Sequence, residues 1–230
     1  SKKNFIEKIP KKESEKKIRI GYYSADYYEH ATSYLIAELI ELHDKSKFEL
    51  FAFSFGPERK DEMYYRISAA FDQFIDVKLK SDDEIMKLSR ELKIDVAIDL
   101  MTFTQYHRFE IFTKRCAPIQ INYLGYPGTS GASCFDYIIA DKTLIPKKNQ
   151  KYYSEKIIYL PDSYQVNDSK KKISDKIFTR EELGLPKESF VFCCFNNYYK
   201  ITPKIFDVWM RLLKQVEGSV LWLTEGNLTG

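Results

Sequence analysis

The sequence predicts an α/β protein with parallel β-sheets, and two observations support this. Apolar runs rich in strand-forming residues, among them Tyr137–Ala140 and Phe190–Phe195, alternate with amphipathic helical segments of about ten residues. Strands and helices that alternate in this way are connected as βαβ units, and such units build parallel sheets. In addition, Ile119–Tyr123 is typical of a strand buried inside such a sheet.

The predicted elements follow one another along the whole chain. Ile18–Ser24 is the first strand, and Thr32 is placed to cap a helix whose apolar residues recur every three or four positions. Ser81 starts another helix, because the three acidic residues after it suit the positive end of the helix dipole. Further strands are predicted at 48–53, 74–76, 94–100, 119–123, 137–140, 156–160, 190–195 and 220–223, and further helices at 61–71, 109–114 and from Pro203 onward.

These elements fall into two groups. We expect a charged linker at 1–16, a first α/β domain at 17–165, a linker at 166–186 and the start of a second domain at 187–230. The second linker is predicted from Asn167–Lys172, which is polar and charged throughout. Because a strand is predicted almost at the end of the chain, we expect the sequence to be a segment of a longer protein.

Composition excludes several classes of partner. The net charge of +3 comes from 36 basic and 33 acidic residues, which is too balanced for the concentrated basic face that nucleic acid requires. No run approaches the roughly 20 apolar residues of a membrane span, so no membrane partner is expected. The four cysteines lack the spacing of a zinc site, and we predict no metal. Free thiols fit a cytoplasmic location.

Leu124–Gly131 is the segment that points most clearly to a ligand. Three glycines and a proline lie within these eight residues, directly after the strand at 119–123. Glycine lets the backbone approach a ligand closely, and ligands of open α/β sheets bind outside the carboxyl ends of the strands. The same loop is also compatible with a tight turn before a helix.

Polar side chains follow two other predicted strands. Asp26 and His30 lie after the first strand, where the carboxylate can orient the imidazole for proton transfer; the alternative is an Asx turn with a histidine at a helix start. Asn197 and Lys200 precede a helix whose amino end favours a phosphate; the alternative is a surface lysine. His107, after the strand at 94–100, is a further candidate for the same cleft.

Together these clusters resemble the catalytic region of the protein O-GlcNAc transferase and SPINDLY family, glycosyltransferase family 41. The resemblance covers about residues 17–225 and is greatest for bacterial members, which often carry tetratricopeptide repeats upstream. The matching pieces are Ile20–Asp26 with His30, Ala117–Gln120, Leu124–Gly131, Asp136–Ile139, Tyr153–Lys156, and Cys194–Asn197 with Lys200–Pro203.

The resemblance implies a GT-B fold, in which two Rossmann-like domains face each other across a cleft. It implies an inverting, metal-independent enzyme without a cofactor, which moves N-acetylglucosamine from UDP-GlcNAc to Ser or Thr hydroxyls of an acceptor protein. By this resemblance Lys200 neutralises the leaving diphosphate, while Asp26 and His30 flank the sugar and the attacking hydroxyl. The implied donor-binding residues are Thr32, Leu124, Gly125, Pro127, Asn197, Tyr199 and Lys200.

Two other functions stay open at this point. One is SPINDLY-like transfer of fucose from GDP-fucose, because Phe195–Asn197 and Lys200–Lys204 resemble that branch equally well; Gly128–Gly131 and Ser219–Leu223 favour the GlcNAc branch. The other is a non-catalytic binding module. Its support is the segment Met101–Thr104, which stands where the family usually has a Gly-(Tyr/His)-Thr turn.

Overall fold

A computed structural model describes residues 17–225 of the chain. The chain divides into two compact units, the first ending at Lys171 and the second beginning at Lys172. The charged linker predicted at 1–16 lies outside the described residues, as do residues 226–230 of the predicted second domain.

The first unit is a seven-stranded sheet in which every pair of neighbouring strands is parallel, as the sequence predicts. Its strands are β1 (Ile18–Ser24), β2 (Phe48–Ser54), β3 (Gln73–Asp76), β4 (Val96–Asp99), β5 (Ile119–Asn122), β6 (Tyr137–Ala140) and β7 (Lys156–Tyr159). Its helices are α1 (Ala31–Glu41), α2 (Glu62–Ala70), α3 (Asp82–Glu91) and α4 (Glu110–Thr113), with a 3-10 helix at Lys147–Tyr152.

Apolar side chains cover both faces of this sheet. Adjacent residues of a strand point to opposite faces, so Tyr22 and Tyr23 of β1 enter different clusters. Tyr22 belongs to the cluster that contains Ile36 of α1, and Tyr23 belongs to the cluster that contains Ile85 of α3 and Phe112 of α4. Each large side chain buried in this way contributes about 1.5–3 kcal/mol to stability.

The order of the strands creates a crevice at the carboxyl ends of the central strands. That order is β3-β2-β1-β4-β5-β6-β7, so β1 lies between β2 and β4. The chain therefore leaves β1 toward one side of the sheet and leaves β4 toward the other. Where the direction reverses in this manner, the loops at the carboxyl ends of the strands separate and leave room for a ligand.

The start of α1 differs from the prediction. His30, and not Thr32, is the residue that caps the helix, because its Nδ1 accepts a hydrogen bond of 3.2 Å from the Thr32 N–H. An imidazole nitrogen thus takes the role that Ser, Thr, Asp or Asn usually has at this position. The predicted start of α3 is confirmed, since Ser81 and Glu84 form a reciprocal capping box.

The polar segment after β7 is held on the surface of the first unit. Asp168 pairs with Arg66 of α2 through both carboxylate oxygens. Ser169 donates from its N–H and its hydroxyl to Glu38 of α1, at 2.6 and 2.7 Å. The beginning of the segment predicted as a linker is therefore bound to α1 and α2.

The second unit contains one parallel βαβ unit. It consists of β8 (Val191–Cys194), a 3-10 helix at Tyr198–Lys200, α5 (Pro203–Gln215) and β9 (Val220–Leu223), with β8 and β9 paired in parallel. The helix predicted from Pro203 onward is confirmed, with Pro203 in its first turn, and Thr202 caps it. Within residues 17–225, no helix is long and apolar enough to cross a membrane.

Candidate active site

A cavity of about 320 Å³ lies in the first unit where the loops after β1, β4 and β5 meet. This is the crevice that the strand order creates, and its volume is at the small end of the range for ligand sites. Its lining residues are Asp26, Tyr28, His30, Ala31, Thr32, Leu35, Thr104, Gln105, Tyr106, Leu124 and Gly125. The structure therefore gathers five of the predicted site residues, namely Asp26, His30, Thr32, Leu124 and Gly125.

Asp26 and His30 form a close pair in the wall of this cavity. The Asp26 Oδ2 lies 3.4 Å from the Nδ1 of His30. That nitrogen accepts the capping bond from Thr32, so the proton of the neutral imidazole lies on Nε2. Burial raises the pKa of Asp26, and the nearby His30 opposes the rise. The pair therefore places a carboxyl group and an imidazole side by side in the wall of the cavity.

Position 125 has room only for glycine, because the backbone of a neighbouring loop packs against it. A Cβ atom built at this position would lie 2.0 Å from the carbonyl oxygen of Leu100, which follows β4. The residue before it, Leu124, has a φ of 71°, in the left-handed region that non-glycine residues rarely adopt. The glycine thus serves close packing of two backbone segments at the edge of the cavity.

The far end of the glycine loop is held by Glu155. This buried carboxylate accepts hydrogen bonds from the Thr129 hydroxyl at 2.7 Å, the Ser130 N–H at 2.7 Å and the Ser130 hydroxyl. Burial raises the pKa of Glu155, but these bonds outweigh it and the net shift is downward. Pro127 is half-buried within this loop and is not among the residues that line the cavity.

The turn after β4 is built around a buried carboxyl group. Asp99 accepts hydrogen bonds from the backbone N–H of Met101 at 3.0 Å and of Thr102 at 3.1 Å. Thr102 has a φ of 50°, and its hydroxyl donates to the side chain of Asn122 at 2.7 Å. The segment whose sequence departs from the family pattern therefore forms an ordered turn, and it brings Thr104 to the cavity.

The structure adds two tyrosines to the cavity that the sequence did not single out. Tyr28 lies under the guanidinium of Arg59, which is 4.8 Å from the centre of its ring. Tyr106 reaches the cavity through a backbone φ of 65°. The chain contains 17 tyrosines, so no sequence signal marks these two. His107 instead lines a separate depression, together with Asp82 and Arg108.

In the second unit, Asn197, Tyr199 and Lys200 share one turn. The backbone N–H of Lys200 donates to the Asn197 carbonyl at 3.0 Å, and the Lys200 Nζ lies 6.0 Å from the ring centre of Tyr199. Their side chains are exposed within this unit, directly before the amino end of α5 at Pro203. An exposed ammonium next to a helix amino end suits an anionic ligand.

The ionisation of Asp99 gives a prediction about stability and pH. Burial raises its pKa to about 7, although the N–H groups of Met101 and Thr102 act in the opposite direction. The pKa of Asp99 in the folded protein exceeds the ordinary value of 3.8. The stabilisation of the folded state by Asp99 is therefore complete below pH 3.8 and is lost as the pH rises from there through 7. We expect the unfolding free energy of the wild type to fall by about 2–3 kcal/mol relative to Asp99→Asn between pH ~5 and ~8 in urea titrations. If the unfolding free energies of the wild type and Asp99→Asn change with pH in parallel, this prediction is wrong.

Comparison with known proteins places the chain in a family. A family model described as Glycosyl transferase family 41 matches residues 1–177 and 169–230. A relative from Arabidopsis thaliana, named "Probable UDP-N-acetylglucosamine–peptide N-acetylglucosaminyltransferase SEC", is 38% identical over 90% of this chain and 22% of that protein. A SPINDLY relative from Petunia hybrida, with a name of the same kind, is 28% identical over 91% of this chain and 22% of that protein.

A solved structure is also similar to this chain in fold and sequence. It is a mutant O-GlcNAc transferase from Thermobaculum terrenum, which matches with a TM-score of 0.78 and 29% identity over 90% of this chain and 38% of that chain. This likeness and the seven-stranded parallel sheet confirm the predicted α/β fold class. The chain spans about a fifth of the length of the curated relatives named above. As the resemblance of its motifs predicted, the chain belongs to glycosyl transferase family 41.

Proposed function

We propose that the full-length protein is a protein O-linked N-acetylglucosaminyltransferase. It transfers N-acetylglucosamine from UDP-GlcNAc to Ser or Thr hydroxyls of proteins, with inversion and without a metal ion or cofactor. The observation that carries this proposal is the cavity at the reversal of strand order in a family 41 sheet, which gathers Asp26, His30, Thr32, Leu124 and Gly125. A volume of about 320 Å³ suits one sugar ring better than a whole nucleotide sugar.

The comparisons support the choice of donor. The SEC and SPINDLY relatives both have names that describe transfer from UDP-N-acetylglucosamine to peptides. The identity to SEC, 38%, is higher than the 28–30% found for the SPINDLY relatives from Petunia hybrida and Arabidopsis thaliana. We therefore prefer UDP-GlcNAc to GDP-fucose.

The proposed reaction assigns a task to each group of residues. The acceptor oxygen forms a bond to the anomeric carbon while the bond from that carbon to the diphosphate breaks, and the hydroxyl proton is released. Asp26 and His30 flank the sugar and the attacking hydroxyl. Lys200 neutralises the negative charge that develops on the leaving diphosphate, with Asn197 and Tyr199 beside it, so that no metal ion is required.

We prefer an enzyme to a non-catalytic module because Asp26, His30 and Lys200 are all present in one chain. The support for a module was the altered sequence of Met101–Thr104. That segment nevertheless forms a turn that Asp99 holds through two backbone hydrogen bonds, and Thr104 lines the cavity. The altered sequence therefore gives no reason to expect a damaged site.

The proposal is tested by measuring transfer with the full-length protein. UDP-GlcNAc and GDP-fucose are each supplied with a Ser-containing acceptor protein, with and without EDTA, and the product is followed by mass spectrometry. We expect addition of N-acetylhexosamine that EDTA does not reduce. Transfer from GDP-fucose alone, or transfer that EDTA abolishes, would refute the stated reaction, and a lack of transfer from either donor would favour a binding module.

The imidazole of His30 can be tested without losing its structural role. Asparagine is itself a good helix cap, so His30→Asn retains the capping interaction of α1 while it removes the ring beside Asp26. We expect kcat/KM for transfer to fall by about 10²-fold, the usual scale of loss when the reacting groups are misplaced. His107→Ala is the control, because His107 is not among the residues that line the cavity. Wild-type activity in His30→Asn would show that His30 has no part in the reaction.

A further inference from the structure

One buried amide joins two of the loops that line the cavity. Asn122, at the end of β5, donates from Nδ2 to the carbonyl oxygen of Gly128 at 3.1 Å. Its Oδ1 accepts a hydrogen bond of 2.7 Å from the hydroxyl of Thr102. Both Thr102 and Asn122 are 0% exposed. This Thr102–Asn122–Gly128 bridge therefore ties the turn after β4 to the glycine loop after β5.

The bridge holds Thr102 in an unfavourable backbone conformation. A φ of 50° is rare for a β-branched residue and costs about 1–3 kcal/mol. The hydrogen bonds to Asp99 and Asn122 offset this cost. Residues in such conformations persist only where their surroundings determine them strongly, and they are concentrated at functional sites. Leu124 and Tyr106, which line the cavity on the two loops, also have positive φ angles.

The two loops are constrained in both directions. Gly125 packs so closely on the Leu100 carbonyl that the loops have no room to approach further. The bridge opposes their separation, because moving them apart would leave the polar groups of Thr102 and Asn122 buried without partners. Such unsatisfied groups cost about 1–3 kcal/mol each. The distance between the cavity walls is therefore set by one steric contact and one hydrogen-bonded bridge.

We propose that Thr102 and Asn122 are positioning residues, whose bridge fixes the separation of the two cavity loops and thereby the affinity for the donor sugar. This inference rests on the proposed function of the cavity. Neither side chain lines the cavity, so each acts through the loop residues that do, Thr104 and Tyr106 on one side and Leu124 and Gly125 on the other.

A matched pair of variants isolates the hydroxyl of Thr102. Thr102→Val keeps the shape and the β-branched backbone strain but removes the hydrogen bond, whereas Thr102→Ser keeps the hydroxyl. In the full-length protein, we expect Thr102→Val to raise KM for UDP-GlcNAc about tenfold and to change kcat by less than about threefold. Thr102→Ser is expected to stay within about twofold of the wild type in both constants. Partial unfolding lowers kcat without changing KM, so this split separates positioning from loss of folded protein.

Hydrogen exchange of the full-length protein without donor provides a second readout. Thr102→Val should increase exchange in both segments 100–106 and 124–131, and Thr102→Ser should not. If the wild type transfers no sugar, the proposed function has failed, and exchange alone then decides whether the bridge holds the loops. Equal donor KM for the two variants in an active protein, or equal exchange in an inactive one, overturns the inference.

Discussion

Lys200→Ala should reduce kcat of the full-length protein by about 10²–10³-fold, which corresponds to about 3–4 kcal/mol of transition-state stabilisation. The physical reason is that negative charge grows on the diphosphate as its bond to the sugar breaks. An ammonium opposite that charge stabilises the transition state more than the ground state. Lys200 is suited to this because its side chain is exposed in its unit, directly before the amino end of α5.

The neighbouring Lys204 supplies the control for this experiment. It is an exposed lysine in the first turn of α5, so Lys204→Ala removes the same charge four residues away. We expect Lys204→Ala to retain activity within about twofold. Steady-state kinetics of both variants with UDP-GlcNAc gives the comparison. Wild-type kcat in Lys200→Ala would remove Lys200 from the proposed mechanism.

Gly125→Ala is expected to cause a comparable loss through steric overlap alone. The new Cβ would lie 2.0 Å from the carbonyl oxygen and 2.9 Å from the carbonyl carbon of Leu100. Both atoms belong to the backbone, so the turn after β4 and the glycine loop must move apart. Forcing extra atoms into a packed site costs about 1–3 kcal/mol of stability. Because both loops line the cavity, we expect transfer to fall by about 10²-fold as well.

Gly131→Ala makes the same chemical change at the other end of the loop. A Cβ at this position meets no atom within 4 Å, and the φ of 66° adds only the strain of a left-handed residue, about 1–2 kcal/mol. We expect Gly131→Ala to lower the melting temperature slightly and to keep its activity. Calorimetry and transfer assays of the two variants give both quantities. Full activity in Gly125→Ala would show that the contact with Leu100 does not shape the site.

Local patterns in the sequence predict most of the fold. The strand at Ile18–Ser24 and the helix start at Ser81 follow from the residues within each element, and the structure confirms both. The start of α1 is different, because Ser, Thr, Asp and Asn are the usual caps and the nearby Thr32 satisfies that expectation. The structure uses His30 because its ring nitrogen lies within reach of the Thr32 N–H.

Interactions between distant segments are the part that the sequence does not reveal. Asn122 meets Thr102 because β4 and β5 pair with Asp99 opposite Asn122, and this register is a property of the assembled sheet. Tyr106 lines the cavity with a positive φ, a conformation that a glycine would indicate in the sequence but a tyrosine does not. Likewise, Asp168 lies in a polar segment that resembles a free linker, and its partner Arg66 is 102 residues away along the chain.

The proposed function depends most on the cavity at the carboxyl ends of β1, β4 and β5. The most direct test is a crystal structure of the full-length protein with an unreactive analogue of UDP-GlcNAc. We expect electron density for the sugar ring in this cavity, in contact with His30, Leu124 and Gly125. Density for the sugar elsewhere, with this cavity holding only water, would contradict this expectation.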